Sequence, residues 1–214
     1  MNHRCLSHMC AALIGLVLVN GCAGKQEVIT LDVAAIPSGL SGALSREDLK
    51  ALVIPFEDKQ AQTRVIGSRS HIGGGRTYFT VANNRPGEAV ARVLADYLKQ
   101  KGWQTWVVKP GGPVVANPAG GLDVTLSGEV LEFSANAKSK FGSTEITVKT
   151  RVALQARNEK DGSIARMTLN GLRSDSVFWF GPRDVEEAIN ETLKDSVNRF
   201  LADARVENRL LQVQ

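Results

Sequence analysis

The chain has 214 residues, 43% of them hydrophobic and 22% charged, with 26 Lys and Arg against 22 Asp and Glu for a formal charge of +4. This is the composition of one soluble globular domain, long enough to bury a substantial core. It lacks the clustered cationic charge of a nucleic-acid binder, so no nucleic-acid partner is expected.

The first 21 residues read as a signal peptide. Met1 to Ser7 holds Arg4 beside His3, and Met9 to Val19 is almost wholly apolar. That is a charged n-region followed by an h-region too short to remain as a spanning helix. The run stops at Val19-Asn20-Gly21-Cys22, which resembles the lipobox of bacterial lipoproteins. The resemblance implies cleavage before Cys22 and a lipid on its sulfur, palmitate among the acyl chains. Each buried CH₂ of such chains contributes about 0.8 kcal/mol to membrane attachment. Residues 22–27 are then a lipid-anchored tether. Ala23 stands where many enteric bacteria place aspartate to retain a lipoprotein at the inner membrane. The resemblance therefore implies the outer membrane, with the domain facing the periplasm. Cys5 and Cys10 leave with the signal and Cys22 is acylated, so the mature chain keeps no thiol for a disulfide, a redox motif or a thiolate zinc site.

From residue 28 the pattern is that of a folded domain. Ile29, Leu31 and Val33 alternate with Thr30 and Asp32, as in a half-buried strand. A Pro/Gly/Ser stretch and a helix-start signal at Ser45-Arg46-Glu47-Asp48 follow, and Ala51 to Phe56 is a short continuous apolar strand expected to be central. Asp58 to Arg76 has no strong periodicity and contains Gly67, Gly73, Gly74 and Gly75. It reads as a long loop, with room for one hairpin leg, before strand character returns at Thr77 to Val81. Pro86 to Lys101 is an amphipathic helix: Pro in the first turn, Glu88 near its positive end, Val90, Val93, Leu94, Tyr97 and Leu98 at three-four spacing, and Gly102 as a stop. Trp103 to Val108 is a strand, and a Gly/Pro loop runs from Lys109 to Gly121.

The second half is β-rich. Leu122, Val124, Leu126 and Val130 share one parity, whereas Leu131 and Phe133 take the other; a β-bulge at 130–131 accounts for the slip. Glu145 to Ala156 alternates strictly, Asn158 to Gly162 makes a turn, and Ser163 to Phe180 pairs back as a long strand. Gly181-Pro182 starts a second amphipathic helix with Val185, Ile189, Leu193, Val197, Phe200, Leu201 and Ala204 on one stripe. The expectation is a single α+β domain over 28–206, a two-layer arrangement with a mixed, mostly antiparallel sheet and two amphipathic helices on one face, followed by a C-terminal tail at 207–214.

This layout resembles the YajG-like family of bacterial lipoproteins. The resemblance runs from the lipobox through Val28-Ile29-Thr30-Leu31, Val53-Ile54-Pro55-Phe56-Glu57-Asp58 and Ile66-Gly67-Ser68-Arg69, to the Pro86–Gly102 helix, Gly121-Leu122-Asp123-Val124-Thr125-Leu126 and the closing helix. It implies location and shape, since the family lends no known reaction, ligand or cofactor.

The residues that could carry chemistry are few. His71 is the one histidine left after processing, so a histidine pair for zinc cannot be assembled, a His-assisted nucleophile would have a single imidazole to draw on, and no metal is expected; a lone histidine in a Gly/Ser loop is most often solvent-exposed. Gly73-Gly74-Gly75-Arg76-Thr77 has the glycines of a phosphate loop without its lysine or the following helix. Gly39-Leu40-Ser41-Gly42 lacks the closing glycine of a nucleophile elbow. Glu129 and Glu132, brought to one face by the bulge, are a glycosidase-type pair only if desolvated, and they fall on the polar face. Lys138, Lys140, Lys149 and Arg151 form a basic stripe that suits lipid headgroups or anionic sugars as well as plain solvation.

The run Val177-Phe178-Trp179-Phe180 carries more information. In a strand Phe178 and Phe180 face one way and Trp179 the other, leaving large apolar surface exposed unless both faces are covered. These aromatics, with Arg69 and His71 from the 58–76 loop, are the candidate partner contacts. The functional expectation is a non-enzymatic, lipid-anchored binding or assembly accessory of an envelope transport or assembly system, with an envelope protein as partner. A cell-wall hydrolase and a periplasmic lipid carrier are the alternatives; the first needs a clustered acid, base or metal, the second an apolar cavity.

Overall fold

The structure is a computed structural model that describes residues 27–35, 49–60, 64–108 and 121–213. Cys22, the tether before Glu27, the helix-start signal at 45–48, the 39–42 turn and most of the 109–121 loop lie outside the described residues. In chain order the elements are β1 (Glu27–Leu31), β2 (Lys50–Val53), β3 (Glu57–Asp58), β4 (Gly67–Ser70), β5 (Arg76–Val81), a 3₁₀ turn (Ala82–Asn84), α1 (Pro86–Gln100), β6 (Gln104–Val107), β7 (Val124–Lys140), β8 (Ser143–Asn158), β9 (Ile164–Val177), α2 (Pro182–Asp203), β10 (Ala204–Glu207) and β11 (Leu210–Val213).

Among the described residues, β7 is the spine of a nine-stranded sheet. Along one edge its 17 residues pair in turn with β2 (Ala51 with Val124), β3 (Glu57 with Glu129) and β4 (Arg69 with Ala137); along the other they pair with β8, which carries β9. The sheet is not mostly antiparallel. β1–β5, β2–β6, β2–β7, β3–β7 and β4–β7 are parallel, whereas β4–β5, β7–β8 and β8–β9 are antiparallel. Side-chain alternation reports which face is buried and is blind to the direction of the neighbouring strand, which the connections decide. β2 does lie inside the sheet, between β6 and β7.

The bulge falls where the parity slips, with the β7–β8 register shifting between Val130 and Glu132. The segment after β3 holds it: Lys59 N–H donates to Val130 O at 3.0 Å, and Phe133 N–H donates to Gln60 Oε1 at 2.7 Å. Backbone groups that the irregular ladder leaves unpaired are thereby satisfied. Within 58–76, Gly67–Ser70 forms β4, the antiparallel leg of a hairpin with β5, which is the one hairpin leg the sequence left room for.

Both helices bury their apolar stripes on the same face of the sheet. Val90, Val93, Leu94, Tyr97 and Leu98 of α1 and Val185, Ile189, Leu193, Val197, Phe200 and Leu201 of α2 join Val130, Phe133, Ile146, Val148, Val152 and Leu154 in one core. α2 crosses β9 closely at Gly171, where a Cβ would stand 2.5 Å from Thr150 Oγ1 and 2.9 Å from Ser196 Oγ. The C-terminal segment does not trail away as a tail. β10 and β11 form a hairpin whose Leu211 is buried, its N–H donating to Asn158 Oδ1 at 2.8 Å and its carbonyl accepting from Asn158 Nδ2 at 3.0 Å.

Candidate functional site

Register places the candidate residues at one end of the sheet. Glu27, Thr77, Arg69 and Ala137 are successive partners across β1, β5, β4 and β7, and Ser70, Lys138, Glu145 and Ser176 continue the next row across β4, β7, β8 and β9. Beyond these rows, in the same direction, lie the turn after β4, the β7–β8 turn, and the chain leaving β9. β1 enters the sheet from that end.

Two polar chains line it. His71 Nε2 lies 2.9 Å from Thr77 Oγ1, which donates to Glu27 Oε2 at 3.3 Å. Arg69 Nε donates to Ser139 Oγ at 2.9 Å, and Ser139 Oγ is 3.4 Å from Thr144 Oγ1. The Arg69 guanidinium also sits 4.0 Å over the Phe180 ring, which stacks on Phe79 at 6.4 Å. Arg69 thus closes the end of the core with its fork while keeping an aromatic face beneath its charge. On the turn itself, Lys140 donates to Glu145 at 2.6 Å, and that bond with the Lys140 charge holds the Glu145 carboxyl below the usual range.

The aromatic run divides in a way that strand parity does not foresee. β9 ends at Val177, so residues 178–180 do not alternate. Phe180 turns inward and is half-buried against the core, whereas Phe178 is 70% and Trp179 85% exposed, their rings meeting edge-on at 5.2 Å. Phe180 is therefore not an exposed contact, and neither is Phe178 a core residue. Two further exposed apolar side chains share this end and were missed from the sequence: Ile72, 68% exposed, in the β4–β5 turn, and Phe141, 101% exposed, in the β7–β8 turn. A signal for Phe141 did exist. An aromatic just before Gly142, whose φ of 79° marks a tight turn, has no core within reach.

The other candidates fall on the face of the sheet away from the helices. Lys138, Lys140, Lys149 and Arg151 are all exposed, with Arg151 opposite Glu132 and Lys138 opposite Glu145, so the stripe is interleaved with acids. Glu129 and Glu132 share that face as the bulge requires; Glu129 is 3.8 Å from Lys59 and about half exposed. A shallow groove lined by Glu57, Glu129, Gln155 and Arg166 crosses the face. Between the helices and the sheet, the apolar space bounded by Phe56, Leu94, Val152 and Leu193 is about 10 Å³, scarcely one water and far below the volume of an acyl chain.

No family model and no curated protein matches the sequence. Among solved structures, the chain is similar to a Xanthomonas campestris protein of family DUF330, with a TM-score of 0.51 at 12% identity over 81% of this chain and 92% of that one. It is more distantly similar to a PelC dodecamer from Paraburkholderia phytofirmans (TM-score 0.40, 15% identity, 72% of this chain and 88% of that one). A neuraminyllactose-binding hemagglutinin homolog from Helicobacter pylori is more distant again (TM-score 0.36, 8% identity, 86% and 90%). The first of these likenesses establishes a shared α+β fold with a bacterial protein.

Proposed function

We propose that the chain is an outer-membrane lipoprotein of the YajG-like kind, anchored through Cys22, whose periplasmic domain acts without catalysis by binding another component of an envelope transport or assembly system. The observation that carries this reading is the spacing of anchor and domain: a charged n-region, an apolar h-region and Val19-Asn20-Gly21-Cys22 stand directly before the first strand, which begins at Glu27. An acyl-bearing cysteine this near the fold keeps the domain at the membrane surface for the life of the protein.

The test is maturation followed by partner capture. Protein purified from membranes is expected to begin at Cys22 and to carry the mass of a diacylglyceryl group, to fractionate with the outer membrane, and to yield a defined envelope protein on in-cell crosslinking. Cys22→Ser is expected to leave an uncleaved precursor. Normal maturation of that variant would refute the anchor, and fractionation with the inner membrane would refute the assigned location. Turnover of a cell-wall substrate that is lost on a single substitution would replace the binding role with a hydrolase.

A further inference from the structure

Ile72, Phe141, Phe178 and Trp179 come from three separate chain reversals or exits, yet all project from the one end of the sheet at which β1 begins. Five Cα steps separate Glu27 from Cys22, a reach of at most roughly 18 Å. Measured along β8, from Ser143 to Asn158, the opposite end of the sheet lies roughly 50 Å away at the rise of an extended strand. A cysteine whose acyl chains are in the bilayer therefore holds this end, and not the other, at the membrane surface.

We propose that this end is a membrane-docking face, with Phe141, Phe178, Trp179 and Ile72 entering the interfacial layer of the bilayer beside the acyl chains of Cys22; the proposal rests on the anchor reading above. Three properties fit a lipid surface better than a protein groove. The apolar groups are protruding tips on different turns, which a fluid interface accommodates without complementary pockets. Trp and Phe are side chains that partition to the headgroup boundary, the indole keeping its N–H wet while its rings leave water. Arg76, Lys138, Lys140 and, where α2 starts, Arg183 lie at the same end, with Arg69 just inside it and Glu27, Glu145 and Asp184 as the acids among them. That local balance favours anionic headgroups. Docking would fix the domain's orientation and present the far end, with the β10–β11 hairpin, to the periplasm.

The chain from Cys22 onward allows a clean test, since its one native cysteine is the one the anchor reading acylates. Full-length lipidated protein carrying Trp179→Cys, Phe141→Cys or, as a far-end control, Ile164→Cys is labelled with an environment-sensitive fluorophore. It is then reconstituted into phosphatidylethanolamine–phosphatidylglycerol vesicles, and lipidation is checked by intact mass. The expected result is blue-shifted, brightened emission at 141 and 179 that lipids brominated at shallow acyl depth quench, with the label at 164 unchanged. Lipidated, vesicle-bound protein whose labels at 141 and 179 stay as wet as the one at 164 overturns docking and leaves the anchor intact. Membrane-purified protein whose intact mass shows no acyl chains overturns the anchor and docking together. A blue shift that appears without vesicles and grows with protein concentration assigns the face to a second copy and overturns the membrane proposal.

Discussion

Truncating Phe180 and Phe178 separates core from surface within three residues of sequence. Phe180 is half-buried, stacked on Phe79 and covered by the Arg69 guanidinium, whereas Phe178 touches Trp179 and is 70% exposed. A buried aromatic removes about 150–250 Å² from water. At about 25 cal/mol per Å², with part of that area already wet and the Cβ retained in alanine, Phe180→Ala forfeits about 2–3 kcal/mol of apolar burial. Loss of the ring stack and of the cation above it adds about 1 kcal/mol. The expected cost is therefore about 3–4 kcal/mol, and in a domain of this size a melting temperature lower by about 6–16 °C. Phe180→Leu, which keeps most of the apolar area, should cost about 1 kcal/mol, and Phe178→Ala should stay within about 0.5 kcal/mol of the parent. Urea midpoints and thermal melts of the domain carrying Cys22→Ser would measure all three. Equal midpoints for Phe178→Ala and Phe180→Ala would refute the division of the run into an inward and an outward ring.

Three further outcomes follow from other contacts. Gly171→Ala should cost about 1–3 kcal/mol, because its Cβ meets Thr150, Ser196 and, nearest, the Thr192 methyl; adding Thr192→Ser, which deletes that methyl, should recover part of the loss in the same denaturation assay. Asn158→Ala should cost about 2–4 kcal/mol and expose the C-terminal hairpin to proteases, since both backbone groups of buried Leu211 lose their partner. Burial pushes the Asp123 carboxyl up, but two hydrogen bonds from Arg209, one from the Lys50 N–H and the charges of both residues outweigh it, and its pKa lies below the ordinary 3.8. A depressed carboxylate stabilises the fold fully above the unfolded value and loses that contribution as pH falls through the folded value. The stability gap between parent and Asp123→Asn, measured by urea titration, should be full at pH 7 and shrink below about pH 4; a gap that is flat or widens in acid would contradict the assignment.

What the sequence determines by itself here is local and periodic. The α1 stripe from Val90 to Leu98 and the α2 stripe from Val185 to Leu201 are buried as the three-four spacing requires, and the β8 alternation through Ile146, Val148, Val152 and Leu154 is kept. Even the bulge is visible, because one extra residue inverts the parity of everything after it on β7. Each of these signals lies within one continuous element, where a fixed repeat converts directly into a buried face. The parallel pairings of β2, β3 and β4 on β7 could not be read in the same way, since a strand's pattern is identical whichever way its neighbour runs. The C-terminal hairpin was hidden for a different reason: its turn, Asn208-Arg209, adopts φ values of 53° and 62° without the glycine that normally announces such a turn, and docking of Leu211 on Asn158 sustains it. The gathering of Ile72, Phe141, Phe178 and Trp179 at one end of the sheet is likewise a product of register across four strands. Pairing partners far apart in sequence are chosen by the loops and helices between them and by the shared core, and tertiary structure alone decides which exposed residues become neighbours.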